Sequence, residues 1–187
     1  MKTLTCYPVT PLKIVRRTFL LVTLLLATGA QLLAQNGPAP ASFSNITGGS
    51  GNDTLAGDGN ANVLVGGAGN DSLTGGLGID TFTVGSGTDT ITDLGVGGAD
   101  ILTVASGATA YATVGAAWTA TAASVNNGTE YLTSAGYTVD LSKVVTGNGF
   151  NVTNTGAAVS FTGSSGNDTL IGGVGNDTLI GGVGNDT

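Results

Sequence analysis

Residues 48–56 read GGSGNDTLA, residues 57–65 read GDGNANVLV and residues 66–74 read GGAGNDSLT. The same nine-residue frame continues as GGLGIDTFT from Gly75 and VGSGTDTIT from Val84. After a two-residue insertion, Asp93-Leu94, it continues as GVGGADILT from Gly95. A second array restarts as GSSGNDTLI from Gly163 and GGVGNDTLI from Gly172, then stops within GGVGNDT at Thr187. The sixth position holds Asp53, Asn62, Asp71, Asp80, Asp89, Asp100, Asp168, Asp177 and Asp186. The eighth holds Leu55, Leu64, Leu73, Phe82, Ile91, Leu102, Leu170 and Leu179. One acid and one large apolar side chain per nine residues is the pattern of a solenoid whose repeats bury a continuous core only by stacking.

Each unit divides into a Gly-rich hexapeptide and a three-residue strand. Glycine at positions 1, 2 and 4 permits left-handed or crowded backbone and lets carbonyl oxygens approach an ion without a Cβ in the way. The carboxylate at position 6 is a hard oxygen ligand, which suits calcium better than zinc or copper. The chain has no histidine, and its one cysteine is Cys6. Two units make one coil, so residues 18 apart are expected to stack: Asp53 under Asp71, Asp71 under Asp89, Asn62 under Asp80 and Asp168 under Asp186. Sites between Asp53 and Asp71 and between Asp71 and Asp89 are expected to be the best formed. The turn with Asn62 is expected to be weaker, with Asp58 of the same unit as a partial substitute. Plain Gly/Asn/Asp turns need no metal, but Asn or Ser would serve such turns as well as a recurrent Asp does.

These units resemble the RTX or haemolysin-type calcium-binding repeat, G-G-x-G-x-D-x-U-x with U a large apolar residue. The resemblance implies an all-β fold, a right-handed parallel β-roll or β-solenoid with calcium-binding turns, that folds when calcium binds, typically outside a bacterial cell. Family relatives that bind ice carry outward ranks at positions 3 and 5. Here position 3 is Ser50, Gly59, Ala68, Leu77, Ser86 and Gly97, which argues against such a face.

Residues 1–34 read as a secretory signal, with Lys13, Arg16 and Arg17 ahead of an apolar run from Phe19 to Ala30 and small residues at Ala30 and Ala34 for cleavage. Residues 35–47, with Pro38 and Pro40, read as a flexible linker. Lys143 is the only base beyond the leader and faces twelve acids, a net charge of −11. That balance excludes a nucleic-acid partner, which needs a basic patch, and favours bound cations. No membrane insertion is expected after signal cleavage. With no histidine, Ser-His and Cys-His catalysis are excluded, and the chain reads as a non-enzyme.

The expected organisation is a first calcium-binding array at 48–103, a metal-free β-rich solenoid segment at 104–162, and a second, truncated array at 163–187. Within the middle segment Tyr111–Val114 and Gly136–Leu141 alternate as half-buried strands do. Ala116–Ala123 reads as a short helix, and Glu130, Asp140 and Lys143 as solvated surface charges. The functional expectation is a secreted or cell-surface calcium-binding module of structural or adhesive type, with calcium ions and a cell-surface or matrix ligand as partners. The alternative is an accessory segment of a larger secreted hydrolase or toxin.

Overall fold

The computed structural model describes residues 31–32 and 44–187. The expectations for residues 1–30 of the leader and for most of the linker lie outside the described residues. From Asn45 onward the chain winds as a parallel β-solenoid, and among the described residues every strand pairing is parallel and no helix occurs. In the first array the coil has two sides. A five-stranded sheet takes Asn45–Ser50, Val63–Ala68, Thr81–Val84, Ile101–Val104 and Val125–Asn126. An eight-stranded sheet takes Gln31–Leu32, Thr54–Ala56, Ser72–Thr74, Thr88–Leu94, Thr109–Val114, Thr129–Ser134, Asn151–Asn154 and Thr169–Ile171.

The eighth-position side chains set this register. Leu55 lies against Leu73 and Leu73 against Ile91. On the facing sheet Leu64 lies against Phe82 and Phe82 against Leu102. All six are wholly buried between the sheets. Strand side chains alternate in direction, so the flanking Thr and Ser at positions 7 and 9 point outward. Burying each Leu, Ile or Phe contributes roughly 1.5–3 kcal/mol, which offsets the entropy lost in ordering so glycine-rich a chain. The insertion Asp93-Leu94 is absorbed as a register shift between Ile91 and Leu94, and Leu94 joins the core.

Beyond residue 104 the coil widens. A third, four-stranded sheet opens with Trp118–Thr119 and adds Val139–Asp140, Ser160–Thr162 and Thr178–Ile180. Thr109 pairs with Thr129 and Val104 with Asn126, so a coil here takes 20 to 22 residues instead of 18. Trp118, Phe150 and Phe161 fill the larger interior. Trp118 also donates its indole N–H to the Asp100 carbonyl at 3.0 Å, tying the wide coils to the first array. The period returns to 18 where Asn151 pairs with Thr169 and Ser160 with Thr178.

Two expectations are corrected. Ala116–Ala123 is not a helix: Trp118 and Thr119 form a strand, and burial of the indole within the sheet outweighs local propensity. The solenoid also begins before residue 48. Asn45–Thr47 pair with Val63–Val65, and Ile46 supplies the first rung of the five-stranded side's ladder. Residues 146–162 continue the coil, with Val152 on the eight-stranded sheet and Phe161 on the four-stranded one.

Candidate metal centre

The Gly-rich hexapeptides form the corners between sheets, and each glycine position has its own steric cause. A Cβ on Gly66 would lie 2.5 Å from Asp71 Oδ2 and 2.9 Å from Asp89 Oδ2, so position 1 is where the carboxylates of two coils converge. Gly67 and Gly69, at positions 2 and 4, have φ of 102° and 125°, a region costly for residues with a Cβ. Tight corners bring backbone carbonyls and stacked acids to the same small volume.

Two columns of acids run up the first array. Asp71 Oδ1 accepts from the Asp53 N–H at 2.9 Å, and Asp89 Oδ1 from the Asp71 N–H at 3.0 Å. At the opposite corner Asp80 Oδ1 accepts from the Asn62 N–H and Asp100 Oδ1 from the Asp80 N–H, both at 2.8 Å. The second array repeats the device. Asp168 Oδ1 takes the Phe150 N–H at 2.7 Å, Asp186 Oδ1 the Asp168 N–H at 2.9 Å, and Asp177 Oδ1 the Val159 N–H at 3.0 Å. Position 5 makes a parallel ladder, with Asn52 Oδ1 accepting from the Asn70 N–H and Asn70 Oδ1 from the Thr88 N–H.

The second carboxylate oxygen separates these acids into two kinds. Oδ2 of Asp71, Asp80 and Asp89 and both oxygens of Asp53 are buried without a hydrogen-bond partner. A buried carboxylate oxygen left without a partner is costly, and a bound cation removes that cost. Asp100 and Asp168 differ. Asp100 Oδ2 accepts from the Gly95 N–H at 2.7 Å, and Asp168 Oδ2 from the Ser164 N–H at 2.7 Å and its hydroxyl at 3.0 Å. These two have protein donors on both oxygens. The residues at the Asp53/Asp71/Asp89 corner and at Asp80 thus fit a hard oxygen-seeking ion best.

Charge pressure at the corners points the same way. Burial pushes the Asp89 carboxyl up to about 6, opposed by its bond to the Asp71 N–H and reinforced by the Asp71 charge. Burial likewise raises Asp100 to about 6 against bonds from Asp80 and Gly95, with the Asp80 and Asp93 charges adding to the rise. Asp71, Asp80 and Asp168 are raised for the same first reason, burial, and each also feels a neighbouring aspartate.

The remaining candidates are placed as follows. Asn62 is buried, and its Oδ1 accepts from the Asp58 N–H at 2.8 Å, so its amide oxygen closes its own turn. Asp58 turns its Oδ1 onto the N–H and side-chain amide of Asn60 at 2.8 and 3.1 Å. Asp177 and Asp186 are only half-buried in the last coil, where Leu179 and Val183 are exposed.

Two acids were not legible as part of the corners. Asp93 clamps the next coil down, its Oδ1 and Oδ2 accepting from the Gly75 and Gly76 N–H groups at 2.9 and 2.8 Å. Its place 18 residues after Gly75 was the available signal. Glu130 is the second, and here the expectation of a solvated charge is corrected. Lys143 is exposed and Asp140 half-buried, but Glu130 is wholly buried. The strand Thr129–Ser134 alternates strictly between exposed and buried, and its parity puts Glu130 on the inner face with Leu132. The acid-x-apolar spacing of Asp53 and Leu55 recurs in Glu130 and Leu132, without the glycines that mark the repeat.

A family model for the RTX calcium-binding nonapeptide repeat, four copies long, matches residues 47–82, 57–91 and 160–187. No curated protein and no solved structure matches the chain.

Proposed function

We propose that this chain, which carries RTX calcium-binding nonapeptide repeats in a parallel β-solenoid, is a secreted structural or adhesive module whose coil is ordered by calcium held at its corners. The observation that carries this reading is the set of buried, partnerless carboxylate oxygens of Asp53, Asp71, Asp80 and Asp89, stacked one coil apart. Asp53, Asp71 and Asp89 would hold ions at one corner and Asp80 at the other, with Asn62, Asp58, Asp100, Asp168, Asp177 and Asp186 contributing less. When bound, calcium neutralises the stacked charges and takes the oxygens that the backbone leaves unmet. The chain's own contribution is to align those oxygens through the Oδ1 ladder and to clear space for them at the position-1 glycines. Because ligands assemble only in the coiled state, binding free energy is folding free energy. A chain disordered where calcium is scarce and ordered outside the cell, where it is abundant, suits the secretory leader read at residues 1–34. Among the described residues no helix is long and apolar enough to cross a membrane.

Calcium titration followed by far-UV circular dichroism tests the reading. Calcium is expected to build β-structure and a chelator to remove it; a β-signal indifferent to both would overturn the proposal. Asp71→Asn sharpens the test, since it keeps an acceptor for the Asp53 N–H but removes one charge. Calcium affinity is expected to fall at least tenfold, with the metal-free fold no weaker than in the parent.

A further inference from the structure

Glu130 lies outside both arrays and outside the matched repeats. It nevertheless stands on the same corner column as Asp53, Asp71 and Asp89. Asp89 pairs with Ala110, and Ala110 with Glu130. Above it Tyr131 pairs with Asn151, which places Phe150 one rung higher, and the Phe150 N–H reaches Asp168 at 2.7 Å. Glu130 is therefore two rungs from Asp89, the last acid of the first array on this column, and two from Asp168, the first acid of the second, about 10 Å each way at the strand spacing of a sheet.

Its surroundings differ from those of an ordinary buried acid. Both Oε1 and Oε2 are buried and have no hydrogen-bond partner. Protonation would remove the charge but add an O–H that itself needs an acceptor. Glu130 lines an open cleft of about 400 Å³ whose wall includes Gly128, Gly147, Asn148, Gly149 and Asn167. Glycine backbone and amide side chains line that space, the same residue types that build the nonapeptide corners. Asparagine ties successive coils together here: Asn126 Nδ2 donates to the Gly149 carbonyl at 2.6 Å and Asn148 Nδ2 to the Gly128 carbonyl at 3.0 Å. Burial alone drives the Glu130 carboxyl well above the usual range, with no charge or hydrogen bond of the protein's own to offset it.

We propose that Glu130 and the glycine–asparagine cleft beside it form an additional, off-motif site for a hard divalent cation, which joins the two repeat arrays into one calcium-dependent column. This rests on the calcium reading of the arrays. It gives the middle segment a metal of its own in place of the metal-free role read from the sequence.

The test uses the full chain and calcium alone. Bound calcium is counted by equilibrium dialysis for the parent and for Glu130→Gln, while hydrogen exchange follows the strands separately. The variant is expected to bind one ion fewer. Calcium-dependent protection of Thr129–Ser134 and Asn151–Asn154 should drop at least tenfold, and that of residues 54–91 should persist. An unchanged ion count with unchanged protection of Thr129–Ser134 overturns the proposal. A parent that binds no calcium overturns the calcium reading of the arrays instead, and the two failures are thus distinct. Should Glu130→Gln not fold, terbium replaces calcium in the parent, with excitation of the tyrosines. Tyr131 adjoins Glu130 in sequence and stacks on Tyr111 at 5.0 Å. Tyr131→Leu, at a largely exposed position, is then expected to cut terbium emission at least twofold. Emission unchanged by Tyr131→Leu counts against an ion at Glu130.

Discussion

Gly66 and Gly59 are both glycines in the Gly-rich corners of the first array, yet they do different work. The space a methyl group would take on Gly66 already holds carboxylate oxygens from Asp71 and Asp89, whereas a Cβ on Gly59 would meet nothing within 4 Å. Gly66→Ala is therefore expected to destabilise the calcium-saturated protein by about 1–3 kcal/mol, the usual cost of overpacking. Gly59→Ala is expected to be neutral or to stabilise by about 0.4–1 kcal/mol through the unfolded chain. Thermal melts in saturating calcium separate the two, and equal losses would remove the steric role given to position 1. The nine-residue pattern separates the two only by rank, Gly66 at the fixed position 1 and Gly59 at the variable position 3, without giving the cause. What distinguishes them is contact between coils, which no single repeat contains.

At the scale of the corner, acids from successive coils share a low-dielectric volume, and the consequence is a dependence on pH. Asp89 and Asp100 are raised to about 6 from an ordinary 3.8, so the folded, metal-free corner holds protons that the unfolded chain has released. The stabilising effect of that uptake is complete below pH 4, declines between about 4 and 6, and is lost above 6. In metal-free buffer the β-signal is thus expected to be greater at pH 4 than at pH 7. With calcium the order reverses, because protons compete with the ion for the same oxygens. Circular dichroism across pH 3.5–7.5, with and without calcium, checks both halves. The corners themselves were readable from the recurrent Asp and Gly. The division between acids with a free oxygen and acids such as Asp168, capped by Ser164, was not, since it depends on which N–H groups the folded turn turns inward.

Across the whole molecule the eight-stranded sheet is the shared spine. The first array alternates between it and the five-stranded sheet, and the second between it and the four-stranded sheet. The wide coils between them change the partner. Trp118 sits at that change, buried and bonded to the Asp100 carbonyl, so its emission is expected to shift to the red on chelation together with loss of the β-signal. A shift in one without the other would mean that the wide coils fold independently of the first array. The sequence by itself determined the strands of the two arrays, their 18-residue register and the recurrent carboxylate at each corner, because one acid and one apolar residue per nine fix both the inner face and the corner chemistry. Only the tertiary structure decided that the coil becomes three-sided, that Asp93 clamps a neighbouring turn, and that Glu130 is buried on the acid column. Those outcomes depend on the width of the coil and on what lies one rung above and below, and a residue's neighbours along the chain do not specify either.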